Sequence, residues 1–292
     1  MDFSKLAEDL KKITYADTYN KPIQNKIIRT FEKVMVRSKL AKRFFELGEM
    51  IENGVEVDEA ALQAFGLKVE LKRGKIESIP KTGPVMIVGN HPFGIVDGMV
   101  VAAMVRGYRK DLKVIAHQGI SQLPQFADFF LPINFDRSEE AKQINKASVD
   151  EFKDHLKQGG IGIMFPSGAV STKRPIWKKN ADPPWHPSVG KWSKDFNCTV
   201  VPVFIDGRCG TFFQLVSQFS MTLRLSALLY ENSKKIDSEI GMRVGEPLDL
   251  NSLPEDWDAV RTVRHFRELC YGLADQDVNG KKLKKKKKKK TH

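Results

Sequence analysis

Short apolar runs, each closed by glycine, proline or a polar turn, alternate along this chain with longer stretches of helical period. The purest run, Val85-Met86-Ile87-Val88, predicts a strand buried on both faces. Residues 67–71 alternate and predict a strand before it, and residues 112–116, 131–135, 161–165, 199–205 and 239–244 predict five more. Between them the pattern predicts helices over 58–64, 99–105, 121–130, 138–158 and 211–230. Gly66, Gly107 and Gly159-Gly160 supply three of their stops. A last helix starts at Leu253-Pro254, with Trp257, Val260, Val263, Phe266 and Leu273 on one face. Residues 175–188 hold Pro175, Pro183, Pro184 and Pro187 and read as a loop. Upstream, residues 2–12 read as a short amphipathic helix, and a helical pattern runs from Pro22 to about Glu52 with a break near Arg37-Ser38. Strands alternating with helices predict an α/β fold, a mostly parallel mixed sheet flanked by helices, with an N-terminal helical segment. The expected division is N-terminal helices over 1–56, an α/β domain over 57–275 and a tail over 276–292.

Composition narrows the class. A chain of 292 residues with 41% hydrophobic content can bury a large core. It has no uninterrupted apolar run of about eighteen residues, so no transmembrane helix is expected. The opening MDFSKLAEDLKK lacks an apolar core segment, so no signal peptide is expected. Cys198, Cys209 and Cys270 are odd in number and lack CxxC spacing, which suggests reduced thiols in a cytosolic protein. Nine of the net +12 charges lie in Lys281 to Lys290, leaving +3 for the rest. Such a tail is too polar to fold alone and attracts anionic surfaces. Residues 21–43 carry eight Lys or Arg against Glu32 alone, so this helical stretch either lies on an anionic membrane or packs on the domain with a solvated basic face.

The chemistry gathers behind the central run. Gly89 and Asn90 end the strand, His91 follows, Pro92 prevents continuation of the ladder, Gly94 loosens the loop, and Asp97-Gly98 leads into the next helix. In open α/β sheets, ligands bind at the carboxyl ends of strands. A neutral imidazole can take a proton from a hydroxyl, and a carboxylate on its other nitrogen fixes the tautomer and stabilises the imidazolium. Taken singly, His91 could be a loop histidine satisfied by backbone, and Asp97 could be a helix cap.

Asn90-His91 through Asp97 resembles the signature of the glycerolipid and lysophospholipid acyltransferases. There the His and Asp are usually separated by four residues; here there are five, a form similar to the bacterial hemolysin-like and ornithine-lipid-type branch, NHP-x-G-x-x-DG. The resemblance covers roughly residues 60–247 and implies a further set of positions. Arg137, after an apolar strand, matches the family's second block, where the Arg looks like a phosphate ligand; an exposed Arg before a helix is the plainer reading. Phe165-Pro166-Ser167-Gly168 resembles the third block, Phe-Pro-Glu-Gly, with Ser167 in place of the Glu. Ser167 can also be a turn residue. Arg174 and its polar neighbours Ser171, Thr172 and Lys173 are candidates to replace the missing charge. Val201-Pro202-Val203 matches the fourth block, which shapes the substrate cleft, though locally it is an apolar strand with an edge proline. Arg208 is a weaker phosphate candidate.

Two other chemistries fit poorly. Ser167 lacks the Gly two residues before it that a nucleophile elbow needs, since Phe165 stands there. His117, His155, His186 and His265 lack the spacing of zinc ligands. The sequence thus supports a lipid O-acyltransferase in which His91 is the general base, Asp97 orients it, and Arg137, Ser167, Gly168, Arg174 and Pro202 contact substrate. The resemblance implies acyl-CoA or acyl carrier protein as donor, a lyso-lipid acceptor, no cofactor and no metal. It also implies a cytoplasmic enzyme held peripherally on the anionic inner face of the cell membrane. The rival readings are a non-enzymatic membrane- or nucleic-acid-binding protein built on the basic tail, and a lipid esterase using the same His and Asp with water. The tail lacks the interleaved aromatics that stack on bases, so no specific nucleic acid is expected.

Overall fold

The computed structural model describes residues 37–118, 128–136, 138–219 and 221–274. The expected helix over 2–12, the first part of the helix from Pro22, most of the helix over 121–130, Arg137 and the lysine tail lie outside the described residues.

Two helices, α1 (Arg37–Glu52) and α2 (Val57–Ala64), lead into β1 (Lys68–Arg73). Then follow β2 (Val85–Gly89), α3 (Ile95–Arg106), β3 (Leu112–His117), β4 (Phe130–Ile133), α4 (Glu139–Lys157) and β5 (Ile161–Met164). The chain continues through α5 (Pro187–Asp195), β6 (Thr199–Ile205), α6 (Thr211–Val216), α7 (Met221–Ser233), β7 (Glu239–Val244) and α8 (Ala259–Gly272). The seven strands form one sheet in the order β1-β7-β6-β2-β5-β3-β4. All neighbouring pairs are parallel except β6 with β7. The expected α/β class and mostly parallel mixed sheet are therefore what the chain forms.

Three local expectations need correction. The helix over 99–105 begins earlier, at Ile95, with Gly94 at its N-cap and φ of 83°, a conformation that favours glycine. Part of the presumed loop 175–188 is the start of α5. Pro187 occupies its first turn, where a missing N–H costs nothing, and His186 caps it by accepting from the Ser188 N–H. The single helix over 211–230 is two, because α6 ends in a turn at 217–219.

β2 sits at the centre with all five residues buried. Its alternation sends Val85 and Ile87 into one apolar cluster with residues of α1, α2 and α3, and Met86 and Val88 into a second with residues of α4, α5 and α8. Fully buried aromatics such as Phe152 and Phe266 each contribute about 1.5–3 kcal/mol by removal from water. From β2 the chain passes through α3 towards the β3 side, whereas β5 connects through α5 across to β6 on the other side of β2. The carboxyl end of β2 is therefore a topological switch point, where such sheets open a crevice.

Pro202 is not on an edge, since β6 lies between β2 and β7. It is tolerated because the ladder is irregular there. Val203 pairs with Val244 and Val200 with Leu248, so three steps on β6 face four on the segment that runs from β7 to Leu248. Its carbonyl still accepts from the Gly245 N–H at 2.8 Å.

Helix α4 approaches the sheet closely at Gly162, where a Cβ would stand 2.4 Å from the Phe152 ring. Gly162→Ala should destabilise the protein by about 1–3 kcal/mol through overpacking. Gly272→Ala, with nothing within 4 Å of the added carbon, should change stability by less than about 0.5 kcal/mol. Urea unfolding of the two variants checks the contrast.

Candidate active site

The loop leaving β2 carries the two residues with clear chemical purpose. Asn90 continues the strand through its side chain: Nδ2 donates to the Ile205 carbonyl at 2.9 Å, and Oδ1 accepts from the Ile205 N–H at 2.7 Å. This clamp ties the end of β2 to the end of β6 and fixes where His91 leaves the sheet. Asp97 is the third residue of α3 and is fully buried. Its Oδ2 accepts from the N–H groups of Phe93 and Gly94, each at 2.8 Å. The same oxygen stands 3.0 Å from His91 Nδ1, although the ring N–H is not aligned along that direction. Imperfect alignment is common in substrate-free catalytic pairs, which tighten when substrate binds. One carboxylate oxygen thus takes the N–H groups at the start of the helix, as a cap does, and stands within reach of the imidazole.

The imidazole is held from a second side by Phe165, whose ring is stacked on it with centroids 4.4 Å apart and planes at 23°. The His91 side chain retains 19% exposure, and its Nε2 makes no hydrogen bond to the described residues. The ring therefore has a carboxylate beside one nitrogen, and its other nitrogen is open.

Asp182, which sequence reasoning missed, holds the main chain beneath this ring. Its Oδ1 accepts from the His91 N–H at 3.1 Å and from the Ser171 hydroxyl. Oδ2 accepts from Trp185 Nε1 at 2.9 Å, and the Asp182 N–H donates to the Tyr271 hydroxyl at 2.9 Å. Burial pushes its carboxyl above the ordinary carboxylate range, and the hydrogen bonds from Ser171, Trp185 and the His91 N–H oppose that rise. Burial, then the Asp182 charge, pushes the Tyr271 hydroxyl up. Nothing in the Asp182-Pro183-Pro184 segment distinguishes it from an exposed turn; the partners that tie it to the site, Ser171 and the His91 N–H, lie 11 and 91 residues away.

The remaining sequence candidates separate by place. Phe165, Ser167 and Gly168 follow β5, and the Ser171 N–H donates to the His91 carbonyl at 2.8 Å, so this loop borders the His91 loop. Ser167 turns its hydroxyl onto the Ala169 carbonyl at 2.9 Å, and Gly168 has φ of 60°. Arg174 is exposed and reaches the Ser217 carbonyl at 3.1 Å, beside α6 rather than beside His91. Pro202 is buried within β6, in line with Val200 and Phe204, which belong to the cluster facing away from α3. A further cation adjoins the loop: Arg224 is 5% exposed, donates to the Val170 carbonyl at 2.6 Å and lies 5.2 Å over the Phe213 ring. Burial, and then Arg174, lowers its pKa to about 10. A lone Arg inside an apolar helical pattern was the available signal for it.

The three thiols are poor nucleophiles. Burial pushes Cys198 to about 12 and moves Cys209 and Cys270 upward as well. Cys209 Sγ, near the site, is occupied with the Pro92 carbonyl at 3.2 Å. The reactive group on offer is the open imidazole nitrogen. A His–Asp pair at the carboxyl end of a central parallel strand is suited to drawing a proton from a hydroxyl during acyl-group chemistry.

Comparison with known proteins identifies the class. The sequence matches the family described as Acyltransferase over residues 25–276, and the chain belongs to that family. It is an acyltransferase. Two relatives are named lyso-glycine lipid O-acyltransferase. The protein from Phocaeicola vulgatus is 25% identical over 230 residues, covering 75% of this chain and 78% of the relative. The protein from Bacteroides thetaiotaomicron is 26% identical over 227 residues, covering 75% and 80%. The crystal structure of the 1-acyl-sn-glycerophosphate acyltransferase PlsC from Thermotoga maritima is similar at 17% identity and a TM-score of 0.44, covering 85% of this chain and 87% of that one.

Asp182→Ala should cost about 2–4 kcal/mol, because it leaves buried donors without an acceptor. The cost should also depend on pH with a definite sign. A carboxyl whose folded pKa is raised favours the fold below its ordinary value of 3.8 and loses that contribution as pH rises through the folded value. Wild type should therefore gain on the variant as pH falls through that window. Urea unfolding of both proteins across pH measures it.

Proposed function

We propose that this enzyme moves a fatty acyl group from a thioester, carried by CoA or acyl carrier protein, to the hydroxyl of a lyso-lipid. The observation that carries the reading is the His91–Asp97 contact of 3.0 Å with the far imidazole nitrogen open. In this mechanism Nε2 takes the acceptor's proton as the hydroxyl oxygen bonds to the thioester carbon. Asp97 holds the tautomer and stabilises the imidazolium. The tetrahedral intermediate then breaks its C–S bond, and the departing thiolate takes the proton back from His91. Transfer is direct, and the silenced thiols support a route without an acyl-cysteine.

The acceptor we favour carries an amino-acid headgroup. Both curated relatives are named for lyso-glycine lipid, and Ser167 replaces the Glu of the third block in the glycerol-phosphate enzymes this sequence resembles. Arg137, Ser167, Gly168 and Arg174 remain the proposed substrate contacts, with Arg137 outside the described residues, whereas Pro202 is buried within β6 and shapes the sheet instead. Arg224 joins them as a cation beside the loop. The enzyme would work in the cytoplasm, peripherally on the anionic inner face of the membrane, using the N-terminal helical segment, the α/β domain and the lysine tail as laid out in the sequence. Among the described residues no helix is long and apolar enough to cross a membrane.

Radiolabelled acyl-CoA and acyl carrier protein, offered with lyso-glycine lipid, lyso-ornithine lipid and lysophosphatidic acid, test the reading. Acylated product should form with the amino-acid lipids, and His91→Ala should lower turnover at least about a hundredfold while the melting curve stays unchanged. A folded His91→Ala protein with full turnover removes the mechanism. Fatty acid released without acylated product turns the reading into the esterase.

A further inference from the structure

Helix α6 buries Phe213 and packs Val216 on the core, yet it leaves large apolar side chains on its outward side. The residues it turns inward include polar ones, with Gln214 and Ser217 at 3% and 2% exposure beside Phe213. Its outward side carries Phe212 at 46% and Leu215 at 47%, and further along the chain Phe219 is 83% and Leu223 38% exposed. Phe212 and Leu215, three apart, share one face of α6, Phe219 follows in the turn, and Leu223 lies on α7. A surface helix ordinarily hides such side chains and shows its polar side to water.

The segment beside α6 shares the same character. Lys173 N–H donates to Gln214 Oε1 at 2.8 Å, Gln218 Nε2 donates to the Lys173 carbonyl at 2.6 Å, and Arg174 reaches the Ser217 carbonyl. These bonds lay residues 173–174 along the helix. Three residues on, Trp177 stands 81% exposed. Lys173, Arg174, Lys178 and Lys179 are the charged residues of 171–181, and no Asp or Glu occurs from 207 to 230. Exposed aromatic and aliphatic side chains on segments whose charged residues are cations match one kind of partner: an anionic lipid surface, whose interface takes Trp and Phe while its headgroups take Lys and Arg. A protein groove would need acids or hydrogen-bond partners placed against each cation, and a second copy would bring like charges together.

We propose that the outward face of α6 and its following turn, together with Trp177, docks on the surface of an anionic bilayer. The inference rests on the lipid-acceptor reading and adds the face by which the enzyme meets its substrate. Its geometry suits that purpose, because the same loop that carries Trp177 begins at Ser171, whose N–H holds the His91 carbonyl. Docking there presents the His91 loop to the layer in which a lyso-lipid acceptor resides.

Sedimentation of the full chain with vesicles of phosphatidylcholine, with and without phosphatidylglycerol, tests the docking face. The double variant Trp177→Ser, Phe219→Ser changes two exposed side chains and should melt as wild type does. Its partition onto the anionic vesicles should fall by about tenfold or more, the loss expected for withholding two aromatics from an apolar layer. The deficit should persist at raised salt, which screens the attraction of the lysine tail. Turnover with a short-chain, water-soluble acceptor should be unchanged, while turnover with acceptor embedded in vesicles should fall in parallel with binding. Undiminished vesicle binding by the double variant overturns the proposal. So does a change from dimer to monomer on gel filtration with vesicle binding intact, which would mean that a second copy covers this face. The two readings fail separately. Vesicle binding that depends on Trp177 and Phe219 in a chain that acylates nothing upholds the docking face and removes the transferase. Transfer to soluble acceptor with no such dependence does the reverse.

Discussion

A carboxylate with no exposed surface must be surrounded by donors or it destabilises the fold, and Asp97 is such a carboxylate. It meets that requirement at one oxygen by drawing the chain around Oδ2, while Oδ1 has no hydrogen-bond partner among the described residues. The N–H groups of Phe93 and Gly94 turn onto Oδ2, which forces the loop after β2 into a tight bend and starts α3 at Ile95. The first turn of a helix also favours an anion, so this position suits a carboxylate electrostatically as well. The His91 ring is the third group within reach of the same oxygen. One buried oxygen therefore sets the loop and the start of the helix and stands beside the imidazole. The five-residue separation works because it places Asp97 in that first turn, looking back along the loop.

The rest of the molecule braces this contact. Phe165 stacks on the imidazole from β5, and Asn90 locks the end of β2 to the end of β6. Asp182 gathers the His91 N–H, the Ser171 hydroxyl and the Trp185 indole from three places in the chain. Each brace comes from a different element, as the switch point at β2 requires: strands leave it in both directions, so the loops of both halves meet above it. The result is a ring stacked on Phe165 with Nδ1 beside Asp97, in a protein whose thiols are buried.

What the sequence disclosed follows from how local each signal is. The central strand was legible because a run of four apolar residues has few alternatives, and His91 and Asp97 because both lie in one loop behind it. The start of α3 was misjudged because Asp97-Gly98 reads as a cap and a breaker, whereas the structure caps the helix three residues earlier with Gly94. Four prolines made 175–188 look like loop throughout, yet Pro187 opens α5. Pro202 looked like an edge residue because its tolerance depends on a register irregularity with β7, forty residues away. Asp182 was invisible for the same reason: a single acid between an alanine and two prolines acquires meaning only through partners on other elements.

The central claim is that His91 and Asp97 act as one device on the acceptor hydroxyl. A double-mutant cycle on kcat/KM, with His91→Ala, Asp97→Asn and the pair combined, addresses it most directly. Groups that work only together are strongly non-additive. The account predicts that each single variant is impaired and that the double variant is no slower than His91→Ala alone. Losses that multiply in the double variant would show that Asp97 contributes to turnover independently of His91, and would contradict it.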